Sequence, residues 1–237
     1  MKKLLLIFII IFSTLSYASH RKIYDFQISN LRFRDNFDGV LLFKDDLDNS
    51  LMHINGIIES DFPLTGVFIS LDNGKSFFPS KFEKNKFMAS FMIKDMDDYF
   101  VFKLKFTDKS GTHNWKINYP IHYINMTKEE YLKKKTIDLF SYIERGQGDL
   151  AIEMFSREYP FYYSLEDKLR ALHGSISTLG YRLFTVCTKK YDSNTFSVDM
   201  EWDRLKNGVS FHGFNRIYYK RYGNDLKIYR IKGDFPF

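Results

Sequence analysis

The hydrophobic positions of this chain follow two periods, and the change falls near Asn125. From Ile23 to Ile124, short stretches alternate apolar and polar residues and break at turn formers. That alternation predicts strands over 51–58, 66–71, 76–78, 86–93, 99–107 and 115–123. Asp72-Asn73-Gly74-Lys75 follows the run Val67-Phe68-Ile69-Ser70-Leu71, and Asn-Gly tolerates the positive φ that a hairpin needs. Asp108-Lys109-Ser110-Gly111 marks a second turn. Short strands at this spacing predict an antiparallel sandwich.

After Asn125 the period lengthens. Thr127 and Glu130 form a capping box, in which each side chain satisfies the other's backbone donor. Leu132, Thr136, Leu139, Phe140 and Ile143 then recur at helical spacing until Gly146 and Gly148. A second short helix is expected over 149–157, with Leu150, Met154 and Phe155 inward, ended by Pro160. A third is expected from Leu165, with Leu169, Leu172, Ile176 and Leu179 on its stripe, before Gly180 restores the strand period. Of the four strands that follow, two form a hairpin whose register can be read directly. Phe196, Val198, Met200 and Trp202 alternate with Ser197, Asp199, Glu201 and Asp203, and Asn207-Gly208 suits a type I′ turn. Pairing Lys206 with Val209 sets Phe196 opposite Tyr219, Val198 opposite Ile217, Met200 opposite Asn215 and Trp202 opposite Gly213. The other face then matches Asp199 with Arg216 and Asp203 with His212. A slip of one residue would spoil both faces. The last strand is expected over 226–231.

The N-terminus changes the picture of where the chain works. Lys2 and Lys3 precede an apolar run from Leu4 to Phe12, followed by Ser13-Thr14-Leu15-Ser16-Tyr17-Ala18. This is the pattern of a secretory signal peptide, 1–18, cut between Ala18 and Ser19. The run falls short of the roughly 20 residues a spanning helix needs, so no stable membrane anchor is expected after cleavage. No Cys follows the cut, which excludes a lipoprotein. The chain is expected to be periplasmic or secreted. Its single cysteine, Cys187, allows no internal disulfide and reads as a small buried hydrophobe in a strand. The formal charge of +6 falls to +4 without Lys2 and Lys3. It is spread along the chain without a Lys/Arg block, which argues against a nucleic-acid partner. With 25 Phe and 16 Tyr, apolar material for cores is ample.

Two resemblances follow from these patterns. Val67 to Phe77, with the serine, aspartate and glycine of Ser70-Leu71-Asp72-Asn73-Gly74, resembles the strand-turn-strand of bacterial immunoglobulin-like and fibronectin type III-like modules. No paired Cys and no clear central Trp accompany it. The second half resembles the nuclear transport factor 2-like superfold, which includes SnoaL-like proteins. Ile143-Glu144-Arg145-Gly146-Gln147-Gly148-Asp149-Leu150-Ala151, Phe155 to Tyr159 and the ending Gly223-Asn224-Asp225-Leu226-Lys227-Ile228 carry that likeness. Leu226 stands where the family usually has Trp. The resemblances imply two domains, 19–124 as an immunoglobulin-like β-sandwich and 125–237 as an α+β cone of three helices packed on a curved antiparallel sheet.

The second resemblance implies a pocket between sheet and helices. The register offers it Trp202, Met200, Asn215 and Tyr219, and His173 on the third helix lies within reach. Asn215 breaks the apolar pattern, either to orient a ligand or to meet water near the mouth of the cone. Acid-base chemistry would need a carboxylate or His in the pocket, whereas Asp199, Glu201 and Asp203 fall on the opposite face. The six histidines are scattered, without metal-ligand spacing, and Asp45-Asp46-Leu47-Asp48-Asn49 lacks the glycine and terminal glutamate of a calcium loop. No P-loop, dinucleotide fingerprint or nucleophile elbow is present.

Neither catalytic residues, nor a metal site, nor a cofactor is expected. The sequence reads as an exported, non-catalytic binding or interaction protein of a bacterial cell envelope. Its partner would be an envelope protein or a small apolar ligand, and its C-terminal sheet could form a homodimer. An isomerase or lyase using the cone is the alternative. A glycan-binding or adhesive sandwich, marked by exposed aromatics around Phe77 or Trp115, is a second.

Overall fold

The computed structural model describes residues 22–32, 39–115, 118–172, 180–190, 195–206, 209–223 and 225–233. The expected signal peptide, His173, Ile176, Leu179 and the Asn207-Gly208 turn lie outside these residues. The chain is α+β and divides into two compact units. The first comprises Met1–Phe37, Leu51–Ile93 and Val101–Tyr119, and the second Asp38–Ser50, Lys94–Phe100 and Pro120–Phe237. The units therefore interleave in sequence, whereas the change of period near Asn125 is a single point.

In the first unit, β1 (Lys22–Ile28), β2 (Leu31–Arg32), β4 (Leu51–Glu59), β7 (Lys81–Glu83) and β8 (Lys86–Met92) form an antiparallel sheet in the order β2-β1-β4-β8-β7. β4 shows why it forms: Met52, Ile54 and Ile58 are buried, while His53, Asn55 and Ile57 on the other face are half-exposed. β5 (Leu64–Ser70) pairs with β6 (Phe78–Pro79) and with β9 (Asp98–Asp108), and β9 pairs with β10 (Gly111–Asn114). Phe26 from β1 meets Phe102 from β9 at 5.1 Å and stacks on Tyr119 at 5.3 Å. Asn73 and Gly74 take φ of 63° and 85°, as their turn chemistry requires. The expected strand over 115–123 is two elements, β10 ending at Asn114 and β11 (Tyr119–Ile124) beginning past Trp115. β2 and β7 are too short to announce themselves by alternation, and a bulge between Tyr24 and Gln27 breaks the alternation of β1.

In the second unit, β3 (Val40–Phe43) pairs in parallel with β11. Three helices follow: α1 (Lys128–Glu144), α2 (Gly148–Glu153) and α3 (Tyr162–Ala171). The capping box at Thr127 and Glu130 is formed, with both reciprocal bonds present. α1 buries Leu132, Thr136, Leu139, Phe140 and Ile143, the stripe its sequence predicts. α2 is shorter than expected and turns Ala151 and Ile152 inward, so Leu150 is 42% exposed instead of buried. α3 starts a turn earlier than Leu165, after Phe161 at φ 61°.

The antiparallel sheet of β12 (Gly180–Lys190), β13 (Thr195–Lys206), β14 (Val209–Tyr222) and β15 (Asp225–Gly233) runs in that order. Its central hairpin has the predicted register at every pair, from Phe196 opposite Tyr219 to Lys206 opposite Val209. Arg216 holds Asp199 through two nitrogens, one at 2.7 Å, and His212 meets Asp203 at 2.9 Å. Leu41 and Phe43 of β3 join the helices and sheet in one core.

The acidic cluster before β4 has a structural task. Asp45 accepts the amide of Lys128 at 3.0 Å, capping α1, and Asp46 meets the Lys128 Nζ at 2.5 Å while accepting the Phe43 amide at 3.0 Å. Arg221, at the end of β14, donates to the Leu41 carbonyl. Burial pulls its guanidinium below the ordinary arginine range, and the charge of Asp46 partly offsets this.

Candidate functional site

The sequence-predicted pocket residues come together in the second unit, but as packing. Met200 and Trp202 on β13 and Asn215 and Tyr219 on β14 are all buried, against helices whose Leu139, Phe140 and Ile143 face them in the same core. The indole Nε1 of Trp202 donates to Asn215 Oδ1 at 2.5 Å. Asn215 is thus fully buried and serves the indole, with its Nδ2 left without a partner among the described residues. The Tyr219 hydroxyl lies 2.9 Å from Thr136 Oγ1, which sits 2.8 Å from the Leu132 carbonyl. The single Thr136 proton goes to that carbonyl, so the tyrosine is the donor between the two hydroxyls. Burial pushes the Tyr219 phenol well above its ordinary range, and half-burial pushes Tyr131 up to about 12. Both stay protonated at neutral pH and offer no base. Asp199, Glu201 and Asp203 are on the opposite face, as the register requires. His173 is outside the described residues.

Gly213 explains how the indole fits. It faces Trp202 across the hairpin, and a Cβ there would lie 2.2 Å from the ring. Only a glycine lets the indole lie over the neighbouring strand.

One serine-histidine-aspartate group occurs in the first unit. Asp108 accepts from Ser60 at 2.8 Å, from the Ser110 amide at 2.8 Å and hydroxyl at 2.5 Å, and lies 3.0 Å from His113 Nε2. The same Nε2 is 3.1 Å from Ser110 Oγ. A relay needs the two ring nitrogens to face different partners, so this group pins the β9–β10 turn instead. Burial tends to raise the Asp108 carboxyl, but the bonds from Ser110, His113 and Ser60 outweigh it and hold the group far below the usual carboxylate range.

A cavity of about 580 Å³ opens on the β1-β4-β8-β7 sheet, and composition gave no sign of it. Register builds it in two rows. Gln27, Asn55, Met88 and Lys81 lie side by side across the four strands, and Tyr24, Ile57, Lys86 and Glu83 form the next row. Between them β1 breaks register, with Asp25 at φ 44°, and the bulge brings Asp25 to the cavity wall. Asp25, Gln27, Asn55, Lys81, Glu83 and Lys86 all line the cavity, and none of their side chains makes a hydrogen bond or ion pair among the described residues. Of the aromatics expected to mark a glycan surface, Phe77 has Lys105 4.3 Å above its ring, Phe78 is exposed, and Trp115 buries its indole nitrogen without a hydrogen-bond partner among the described residues.

Among the described residues, no cluster of His, Cys, Asp and Glu could hold a metal ion, and no helix is long and apolar enough to cross a membrane.

No protein-family model matches the chain, and no curated protein matches it. Among solved structures, a sulfane dehydrogenase from Paracoccus pantotrophus is similar over 26% of this chain and 18% of its own, at 18% identity and a TM-score of 0.24. The chain thus spans less than a fifth of that protein. The helical cell shape determining protein of Campylobacter jejuni is similar over 88% of this chain and 94% of its own, at 8% identity and a TM-score of 0.37. An NTF2-like protein involved in plasmid conjugation is similar over 94% of this chain and 81% of its own, at 8% identity and a TM-score of 0.32. The likeness to an NTF2-like protein therefore runs along nearly the whole chain, and at these scores it carries no argument about activity.

Proposed function

We propose that this chain is an exported, non-catalytic binding protein of a bacterial cell envelope, with its ligand site on the first unit. The first unit would be an immunoglobulin-like sandwich and the second a nuclear transport factor 2-like cone. In this reading the cone is a packed support and the sheet of β1, β4, β8 and β7 does the binding. The observation that carries it is the cavity there, lined by six polar side chains without partners among the described residues. Two sheets joined through Phe26, Phe102 and Tyr119 support the sandwich. The leader pattern of Lys2, Lys3 and the apolar run to Phe12 supports export.

The test is expression of the full chain in a Gram-negative host, followed by osmotic shock and mass measurement. Release of a chain beginning at Ser19 is the expected result. A chain that stays intact in the cytoplasm refutes the export half of the proposal.

A further inference from the structure

The cavity on the first unit has a chemistry narrow enough to name a ligand class. Its charges cancel: Asp25 and Glu83 oppose Lys81 and Lys86. Such a wall has no net field to attract a phosphate, a nucleic acid or a polyanion. An apolar ligand fits no better, because covering six polar groups without bonding them forfeits their hydration. An extended peptide docks by pairing with the free edge of a sheet; the edge strand here, β7, is only three residues long, and the rest of the cavity lining lies on the inner strands β1, β4 and β8. A ligand is needed whose groups both donate and accept, over apolar surface, without charge.

We infer that this cavity is a binding site for a short, uncharged oligosaccharide, an inference that rests on the binding reading above. Gln27 and Asn55 supply the specificity. They are cross-strand neighbours, about 5 Å apart by sheet spacing, and each carboxamide presents an acceptor and a donor edge in one plane. That pair matches the hydroxyls along one edge of a sugar ring. Ile57 and the half-exposed Met88 supply apolar surface for the C–H face of the ring. Lys81, Lys86, Glu83 and Asp25 ring these residues with charged donors and acceptors, and hydroxyls can serve both. The volume lies within the range of small-molecule sites, about 300–1,000 Å³.

The test is calorimetric titration of the purified chain with neutral tri- to hexasaccharides of the maltose, cellulose and chitin series, beside a heparin tetrasaccharide and a mixed hexapeptide pool. At least one neutral series should bind, with backbone NMR shifts confined to β1, β4, β7 and β8. Gln27→Ala and Asn55→Ala should each weaken that binding about tenfold, the loss of one or two hydrogen bonds, while leaving the denaturation midpoint in place. Silence across the neutral series overturns the inference, as does binding that both variants leave intact. If the heparin fragment or the peptides alone shift these four strands, the oligosaccharide class is wrong and the binding reading stands. If no probe shifts them, both fall, whatever the outcome of the export test.

Discussion

Gly213→Ala should be among the most damaging small substitutions in this chain, although it adds a single methyl group. The new Cβ would lie 2.2 Å from Cζ2 and 2.4 Å from Cε2 of Trp202. The obstacle is a buried indole, 5% exposed and tied to Asn215 at 2.5 Å, so it cannot swing into solvent. Forcing a methyl into such packing costs about 1–3 kcal/mol. Moving the indole also strands its N–H and the Asn215 carbonyl, which costs about 1–3 kcal/mol more. The smaller backbone entropy of unfolded alanine offsets only about 0.4–1 kcal/mol. The net expectation is a loss of about 2–4 kcal/mol, from terms that overlap because one ring movement causes both.

The assay is urea denaturation followed by tryptophan fluorescence in a Trp115→Phe background, which leaves Trp202 as the only reporter. With a slope of about 1–3 kcal/mol per molar, the midpoint should fall by about 1–2 M. Trp202→Leu supplies the control, read by circular dichroism: in that background there is no ring to meet, so Gly213→Ala should cost almost nothing. A glycine-to-alanine change that shifts stability by less than about 0.5 kcal/mol with the indole present would refute the packing argument, since that is the size of an ordinary surface substitution.

The two hydroxyls beneath the sheet should respond unequally. Tyr219→Phe leaves Thr136 bonded to Leu132 and should cost about 0.5–1.5 kcal/mol, whereas Thr136→Val strands the buried phenol and should cost about 1–3 kcal/mol; equal losses would contradict the donor assignment. Acid should weaken the first unit through Asp72 and Asp108. Asp72 is lowered from 3.8 to about 2 by the Ser76 amide and the Ser70 hydroxyl, and Asp108 is lowered further. A depressed folded value means that the contribution is complete above about pH 4 and disappears as pH falls through the folded value. Denaturation midpoints should thus drop between about pH 4 and pH 2, and Asp72→Asn with Asp108→Asn should flatten that drop; an unchanged acid limb would count against both clamps. The half-buried Asp199–Arg216 pair should show a coupling of about 1 kcal/mol in a double-mutant cycle, and zero coupling would make the bidentate contact irrelevant to stability.

What the sequence made legible was the part of the fold where every residue repeats one instruction. In the β13–β14 hairpin, apolar alternation, the Asn-Gly pair and the two cross-strand matches Asp199–Arg216 and Asp203–His212 all select a single register, and the observed pairs follow it. The α1 cap is legible for a similar reason, since Thr127 and Glu130 act on each other within one turn. Legibility fails where partners are distant. β3 pairs with β11 across some eighty positions, and nothing local to Val40–Phe43 announces that its Leu41 and Phe43 enter the core beside α1. Leu150 misled because a stripe predicted for a longer helix does not govern six residues. The cavity was invisible because its rows are made by register between four strands, two of which carry no periodic signal.

The pocket expected between the helices and sheet of the second unit and the cavity found on the first unit differ in how far the protein itself engages their polar groups. Among the described residues of the second unit, the polar atoms between helices and sheet engage one another: the indole with Asn215, the phenol with Thr136, and Thr136 with Leu132. A ligand entering there must first break bonds that it then has to replace, so its polar contacts bring little net affinity. At the cavity of the first unit, the six lining polar side chains have no partner among the described residues. Each hydrogen bond a ligand makes there exchanges solvent for a partner on a strand.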